Sequence, residues 1–194
     1  MKPEEKARVK IDQWLTEAGW KVINRDEFEA DSSAVAVREG LLKGNREADY
    51  FLFINGKAVG ILEAKREEID ANKGVVCDQV EAYARGVPSF YTAYQKPIPF
   101  LYTSNGKQHY FHDFRKKDSD YEEIFAMHKP KKLVEMLGIE DPFAGLPTLN
   151  PKGLRACQYE AINGLEKSFR NGQNRALMVL ATGAGKTYTA CLAS

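Results

Sequence analysis

The sequence predicts an α/β protein: a mixed sheet flanked by helices, followed by the start of a second α/β domain. Three observations predict it. Two apolar runs, residues 51–54 and 58–62, flank Asn55-Gly56, the dipeptide most typical of a tight β-hairpin. Apolar residues recur at helical spacing on either side of that hairpin, at Ala7, Ile11, Trp14, Leu15 and Ala18, and again at Val76, Val80 and Tyr83. Further on, an apolar run over 175–180 leads into Thr182-Gly183-Ala184-Gly185-Lys186-Thr187, a glycine loop between a predicted strand and a predicted helix.

Taken in order, a helix is expected over residues 3–17. Pro3 suits a first helical turn, Glu4 and Glu5 suit the positive end of the helix dipole, and Gly19 is placed to stop it. Residues 20–23 read as a short strand, 24–31 as a polar loop, and 34–37 as a strand or a turn of helix. The hairpin follows, then a helix over 73–85. Residues 89–94, 100–103 and 108–111 read as strands, the last two joined by Asn105-Gly106. These strands make a mixed sheet of about five or six, a common size. The charged stretch 113–130 is assigned no element, and 131–137 reads as a short helix. Residues 141–151 carry three prolines and a glycine and read as a linker. The division is therefore a domain over 1–140, a linker over 141–152, and the beginning of a second domain over 153–194.

Composition excludes more than it assigns. The 194 residues are 43% hydrophobic, enough for a real core, and the net charge is +1. Overall charge does not announce a nucleic-acid partner, although a local basic patch would suffice. Cys77, Cys157 and Cys191 are widely spaced, lack paired metal-ligand spacing, and read as reduced core residues of a cytoplasmic protein. His109, His112 and His128 form no ligand constellation with them. No apolar stretch is long enough to span a membrane, and the charged N-terminus is unlike a signal peptide.

The chemistry gathers on the hairpin. Asp49 precedes the first apolar run; Glu63 and Lys65 end the second and, two apart on a strand, share a face. Two acidic oxygen donors and a lysine at one sheet edge could hold Mg²⁺ and position a water against a phosphodiester. The competing reading is a buried hairpin with solvated strand ends. Both faces of the strands are apolar, so helices should cover both, and charges there are costly to bury unpaired. The functional reading makes a demand on register. A plain two-residue turn carried through the whole ladder pairs Ile54 with Lys57 and sets Asp49 against Leu62, facing away from Glu63. A shared site requires either a three-residue turn pairing Ile54 with Ala58 or a nearby bulge.

Asp49 followed by Glu63-Ala64-Lys65 after a short hairpin resembles the PD-(D/E)xK nuclease motif. Gln79-Val80-Glu81-Ala82-Tyr83 resembles the QxxxY motif of the nuclease domain in type I restriction enzyme R (motor) subunits, and residues 11–20 resemble that family's N-terminus. The proline that precedes the first acid in the motif is Ala48 here. The resemblance covers essentially the whole chain. It implies a PD-(D/E)xK fold, with Asp49 and Glu63 as metal ligands for Mg²⁺, Lys65 acting on the attacking water and the developing charge, and Gln79 and Tyr83 in accessory roles. The loop at 182–187 is similar to motif I of superfamily 2 helicases and translocases, although the first glycine of the full Walker pattern is replaced by Leu180. Leu154-Arg155-x-x-Gln158 resembles their Q motif. This implies ATP with Mg²⁺ bound through Gln158, Thr182, Gly183, Ala184, Gly185, Lys186 and Thr187, at the truncated start of a RecA-like helicase domain that would not by itself hydrolyse ATP efficiently. The implied partners are duplex DNA and the methyltransferase and specificity subunits of a type I restriction–modification complex. The alternatives are a nuclease–helicase of repair or phage defence without methyltransferase partners, and a non-catalytic DNA-binding domain on a motor.

Overall fold

The computed structural model describes residues 3–29, 33–116, 119–139, 149–170 and 176–193. The chain divides into two compact units, 1–137 and 138–194.

The first unit is built on a seven-stranded sheet. Its strands are β1 (Lys21–Ile23), β2 (Ala34–Leu41), β3 (Glu47–Ile54), β4 (Lys57–Ala64), β5 (Phe100–Ser104), β6 (His109–Asp113) and β7 (Glu122–Glu123). They lie in the sheet in chain order. The β1–β2 and β4–β5 pairs are parallel and the others antiparallel, so the expected mixed sheet is present with one or two more strands than the sequence suggested. Helix α1 (Pro3–Glu17) takes the expected span, and α2 (Gly74–Arg85) and α3 (Pro130–Met136) begin and end within a residue of expectation.

Side chains alternate across β3 and β4, and both faces are apolar. Phe51, Phe53 and Ile61 pack with Val80, Tyr83 and Ala84 of α2. Tyr50, Leu52 and Leu62 pack on the other face with Ile11 and Leu15 of α1 and Leu133 of α3. Helices therefore cover both faces, as two apolar faces demand. Each large side chain so buried stabilises the fold by about 1.5–3 kcal/mol.

Three local expectations are corrected. Residues 89–94 do not form a strand; among the described residues a single bridge between Ala58 and Ala93 is their only ladder contact. Residues 24–31 include a 3-10 turn at Arg25–Glu27, where the Glu27 carboxylate accepts from the Asn24 N–H; residues 30 and 31 lie outside the described part. Cys77 is half-buried, and Cys157 and Cys191 are exposed, so none is a core residue.

The second unit contains α4 (Ala156–Arg170) and α5 (Lys186–Leu192). Residue 175 of the expected strand lies outside the described part, and 176–180 form no ladder among the described residues. Leu177 and Val179 are exposed there, because an apolar run becomes a strand only when a neighbour supplies backbone hydrogen bonds. Most of the expected linker, residues 141–148, also lies outside the described part.

Candidate active site

The hairpin resolves the register by combining two devices. Asn55 and Gly56 both have positive φ, 50° and 69°, and form a two-residue turn that pairs Ile54 with Lys57. Of the two expected alternatives, the three-residue turn is absent. A bulge follows instead: Phe53 pairs with Ala58, but Leu52 pairs with Gly60, leaving Val59 as the extra residue of β4. Beyond it Phe51 pairs with Ile61 and Tyr50 with Leu62. Continued by one residue, that register sets Asp49 across from Glu63, as a shared site requires.

The carboxylates are held differently. Asp49 Oδ2 accepts the Ala64 backbone N–H at 2.8 Å, and Oδ1 accepts the Arg8 guanidinium at 2.6 Å. Glu63 is 4% exposed. Its Oε1 accepts from Lys65 Nζ at 2.7 Å and from Gln79 Nε2 at 2.7 Å. Its Oε2 is buried and meets no hydrogen-bond partner among the described residues. Burial, and then the neighbouring charge of Asp49, raise the Glu63 carboxyl to about 7, against the opposing pull of Lys65.

Helix α2 contributes the rest of the network. Gln79 and Tyr83 are four residues apart on one helical face. The Gln79 amide oxygen accepts from Lys65 Nζ at 2.9 Å, and its nitrogen also donates to the Tyr83 hydroxyl at 2.6 Å. Arg46 lies over the Tyr83 ring, 5.8 Å from its centroid. The residues picked from sequence for the hairpin and α2, Asp49, Glu63, Lys65, Gln79 and Tyr83, thus lie in one connected cluster.

Sequence reasoning missed Arg8. It lines an open cleft of about 390 Å³ together with Asp49, Glu63, Ala64, Lys65, Arg66 and Ile69. The signal was available only indirectly: Arg8 lies on α1 beside Ala7 and one turn before Ile11, at the edge of the helix face that packs on the sheet. Among the described residues, no group of three or more His, Cys, Asp and Glu side chains gathers as a metal-binding cluster. The protein side chains available to a cation here are therefore the Asp49–Glu63 pair. That pair fits a hard divalent ion, which takes oxygen ligands and retains waters, and the unpartnered Glu63 Oε2 is an oxygen atom left for one.

In the second unit, Gly183 and Gly185 adopt positive φ, 78° and 81°, and α5 starts at Lys186 directly after the loop. Gln158 is buried. Its Nε2 donates to Ala184 O at 2.9 Å, and its Oε1 accepts from Arg155 N at 3.0 Å. Arg155 Nη1 donates to Gly183 O at 3.0 Å. Both residues of the Leu-Arg-x-x-Gln segment therefore hold loop carbonyls. Thr182, Lys186 and Thr187 are exposed, and Ala184 and Gly185 are half-buried.

Comparison with known proteins follows the same two-part layout. Residues 35–120 match the family described as the type I restriction enzyme R protein N terminus, and residues 151–194 match the type III restriction enzyme res subunit family. The endonuclease subunit of the type I restriction enzyme EcoKI from Escherichia coli (strain K12) is 29% identical over 96% of this chain and 20% of its own length. The EcoAI endonuclease subunit from Escherichia coli is 29% identical over 91% of this chain and 23% of its own length. The chain spans about a fifth of the length of these curated relatives. A solved fragment described as an HsdR subunit of a type I restriction enzyme from Vibrio vulnificus YJ016 is 24% identical, with a TM-score of 0.44, over 98% of this chain and 36% of that one. Residues 35–120 thus match the R protein N-terminal family, and with residues 151–194 they make the chain similar to the N-terminal region of a type I restriction enzyme R subunit.

Proposed function

We propose that the first unit is a Mg²⁺-dependent nuclease domain of the PD-(D/E)xK type, cleaving phosphodiester bonds of duplex DNA. The observation that carries this reading is the pairing of Asp49 with a Glu63 whose Oε2 is buried without a partner in a polar cleft. A carboxylate oxygen in that setting is costly unless something completes it. Asp49 and Glu63 would hold Mg²⁺, which supplies Lewis-acid polarisation of the phosphoryl group and a more acidic water. Lys65, aimed by Glu63 and Gln79, places its positive charge in the same cleft, where it stabilises negative charge developing on the phosphoryl oxygens. Gln79 fixes the lysine and the glutamate together, and Tyr83 fixes Gln79. The network joining Lys65, Gln79 and Glu63 Oε1, with Oε2 left open, favours a working site over a non-catalytic DNA-binding fold.

The second unit, in this reading, carries the phosphate-binding loop of an ATP-driven DNA translocase. Positive φ at Gly183 and Gly185 and a helix starting at Lys186 suit a loop whose backbone N–H groups face phosphate. Lys186 would reach the outer phosphates and Thr187 the accompanying Mg²⁺. Gln158, read from sequence as an ATP contact, supports the loop by its bond to Ala184 O. The whole subunit would work with methyltransferase and specificity subunits, which would supply sequence recognition.

The test compares wild type with Asp49→Ala in the full-length subunit within its assembled complex, recording DNA cleavage and DNA-stimulated ATP hydrolysis in the same samples. Loss of cleavage by more than about 100-fold with ATP hydrolysis retained is the expected result. Retained cleavage overturns the assignment, and loss of both activities assigns Asp49 to assembly or folding instead.

A further inference from the structure

Arg8 stands between two carboxylates. Its Nη2 donates to Asp49 Oδ1 at 2.6 Å and its Nη1 to Glu39 Oε1 at 3.1 Å. The ladder explains why both are in reach: Arg38 pairs with Tyr50 and Gly40 with Ala48, so Glu39 lies on β2 across from Asp49. Glu39 is also a backbone outlier, with a φ of 53° inside a strand. A long side chain rarely adopts that conformation, and such strain persists only where its surroundings enforce it. Here Arg25 Nη1 donates to the Glu39 carbonyl at 3.1 Å. From this backbone the Glu39 carboxylate meets Arg8, which itself lines the cleft.

The Arg8 guanidinium therefore occupies the Asp49 oxygen that a cation would need. Asp49 Oδ2 accepts the Ala64 N–H, which commits one of its two lone pairs. A divalent ion approaching Oδ1 meets a positive charge in direct contact with it. Arg8 is also movable: its side chain is 40% exposed, and Glu39, its second anchor, is 55% exposed. A guanidinium released from Asp49 has a good alternative partner in a phosphodiester, whose oxygens match its planar fork.

We propose that Arg8 is a positioning residue that guards Asp49: without DNA it holds Oδ1 closed to divalent cations, and a DNA phosphate draws it off. This rests on the metal-dependent nuclease reading above. It adds that cation entry and DNA arrival are coupled through one side chain, so that the cation site opens fully only when a phosphodiester lies in the cleft.

Mn²⁺ serves as the probe, its binding to the 194-residue chain read by the loss of the free-ion paramagnetic resonance signal. Arg8→Ala is expected to bind Mn²⁺ about tenfold more tightly than wild type in the absence of DNA, the value of one charge-assisted hydrogen bond. It is expected to bind a short duplex several-fold more weakly in EDTA. Arg8→Met keeps the apolar stem packed on α1 and gives the same pair of changes if the alanine variant loosens the helix. Arg8→Lys, which keeps the charge but not the two-pronged bridge, falls between wild type and alanine on both readouts. Mn²⁺ affinity in Arg8→Ala and Arg8→Met equal to or weaker than wild type overturns the guarding role while leaving the nuclease reading intact. Equal Mn²⁺ behaviour of wild type, the Arg8 variants and Asp49→Ala overturns the metal reading and the inference together.

Discussion

Asp49 Oδ2 accepts a hydrogen bond from the Ala64 backbone N–H at 2.8 Å, so a side chain of β3 is oriented by the main chain of β4. That bond belongs to the register that sets Asp49 across from Glu63. Deleting Val59 would let the two-residue turn run straight on to Gly60, a regular ladder that keeps Leu52 with Gly60 and Asp49 across from Glu63. Residues 60–64 would keep their faces, and the core would lose only the buried Val59 side chain. The deletion is expected to keep Mn²⁺ binding and to destabilise the unit by about 1.5–3 kcal/mol. Urea unfolding followed by circular dichroism, with Mn²⁺ titration of the folded fraction, checks both.

Gln79 touches both Glu63 and Lys65 without being positioned to ligate a cation through a charge. Gln79→Ala is expected to lower cleavage about 10–100-fold, the usual cost of losing a residue that orients a metal site. DNA-stimulated ATP hydrolysis in the same complex is expected to stay unchanged. Gln79→Asn, too short to reach both partners, should not rescue it. An alanine variant with full cleavage would remove Gln79 from the catalytic arrangement.

Glu63 sets a pH dependence on stability with a definite sign. Its folded carboxyl lies at about 7, raised by burial and then by Asp49. The folded state therefore holds its proton where the unfolded chain has lost it. Stability is expected to fall as pH rises through the range from about 4.5 to about 7 in EDTA. Glu63→Gln is expected to flatten that slope and to be more stable than wild type at the upper end. Thermal melts across this range, run on both proteins, test the sign.

Gly185 is required twice over. Its φ of 81° is a conformation that side chains resist, and a Cβ there would stand 2.6 Å from Gln158 Nε2. Gly185→Ala is expected to destabilise the loop by about 1–2 kcal/mol. The bond from Gln158 to Ala184 O would be lost with it. Faster amide exchange over residues 182–189, with the sheet of the first unit unaffected, is the expected readout.

The sheet and its central helices were legible because binary patterning is strong where both faces of a strand are buried. Phe51, Phe53, Leu52 and Ile54 left little choice, and Asn55-Gly56 fixed the turn. The bulge was legible only as a requirement: nothing in Ala58-Val59-Gly60 marks Val59 as the extra residue, but a site shared by Asp49 and Glu63 demanded one. Residues 89–94 misled because aromatic and β-branched content was read as a strand where only one bridge forms. Arg8 and Glu39 were invisible because their meeting depends on how α1 crosses the sheet and on a backbone outlier at Glu39, neither of which has a local signature. The run at 176–180 has the composition of a strand, yet composition cannot supply the neighbour that makes one.

The strand order, β1 through β7 in sequence, also bears on how the molecule comes into being. Every ladder of the sheet joins chain neighbours, and the closures are short except that from β4 to β5, which spans residues 65–99. Asp49 and Glu63 meet across a single hairpin, the most local closure of all. Lys65 follows on the same strand end. Arg8 and Gln79 arrive from helices that dock on opposite faces of the completed sheet. The acidic pair therefore needs only its hairpin to form, whereas Arg8 and Gln79 reach it only when their helices dock on the sheet.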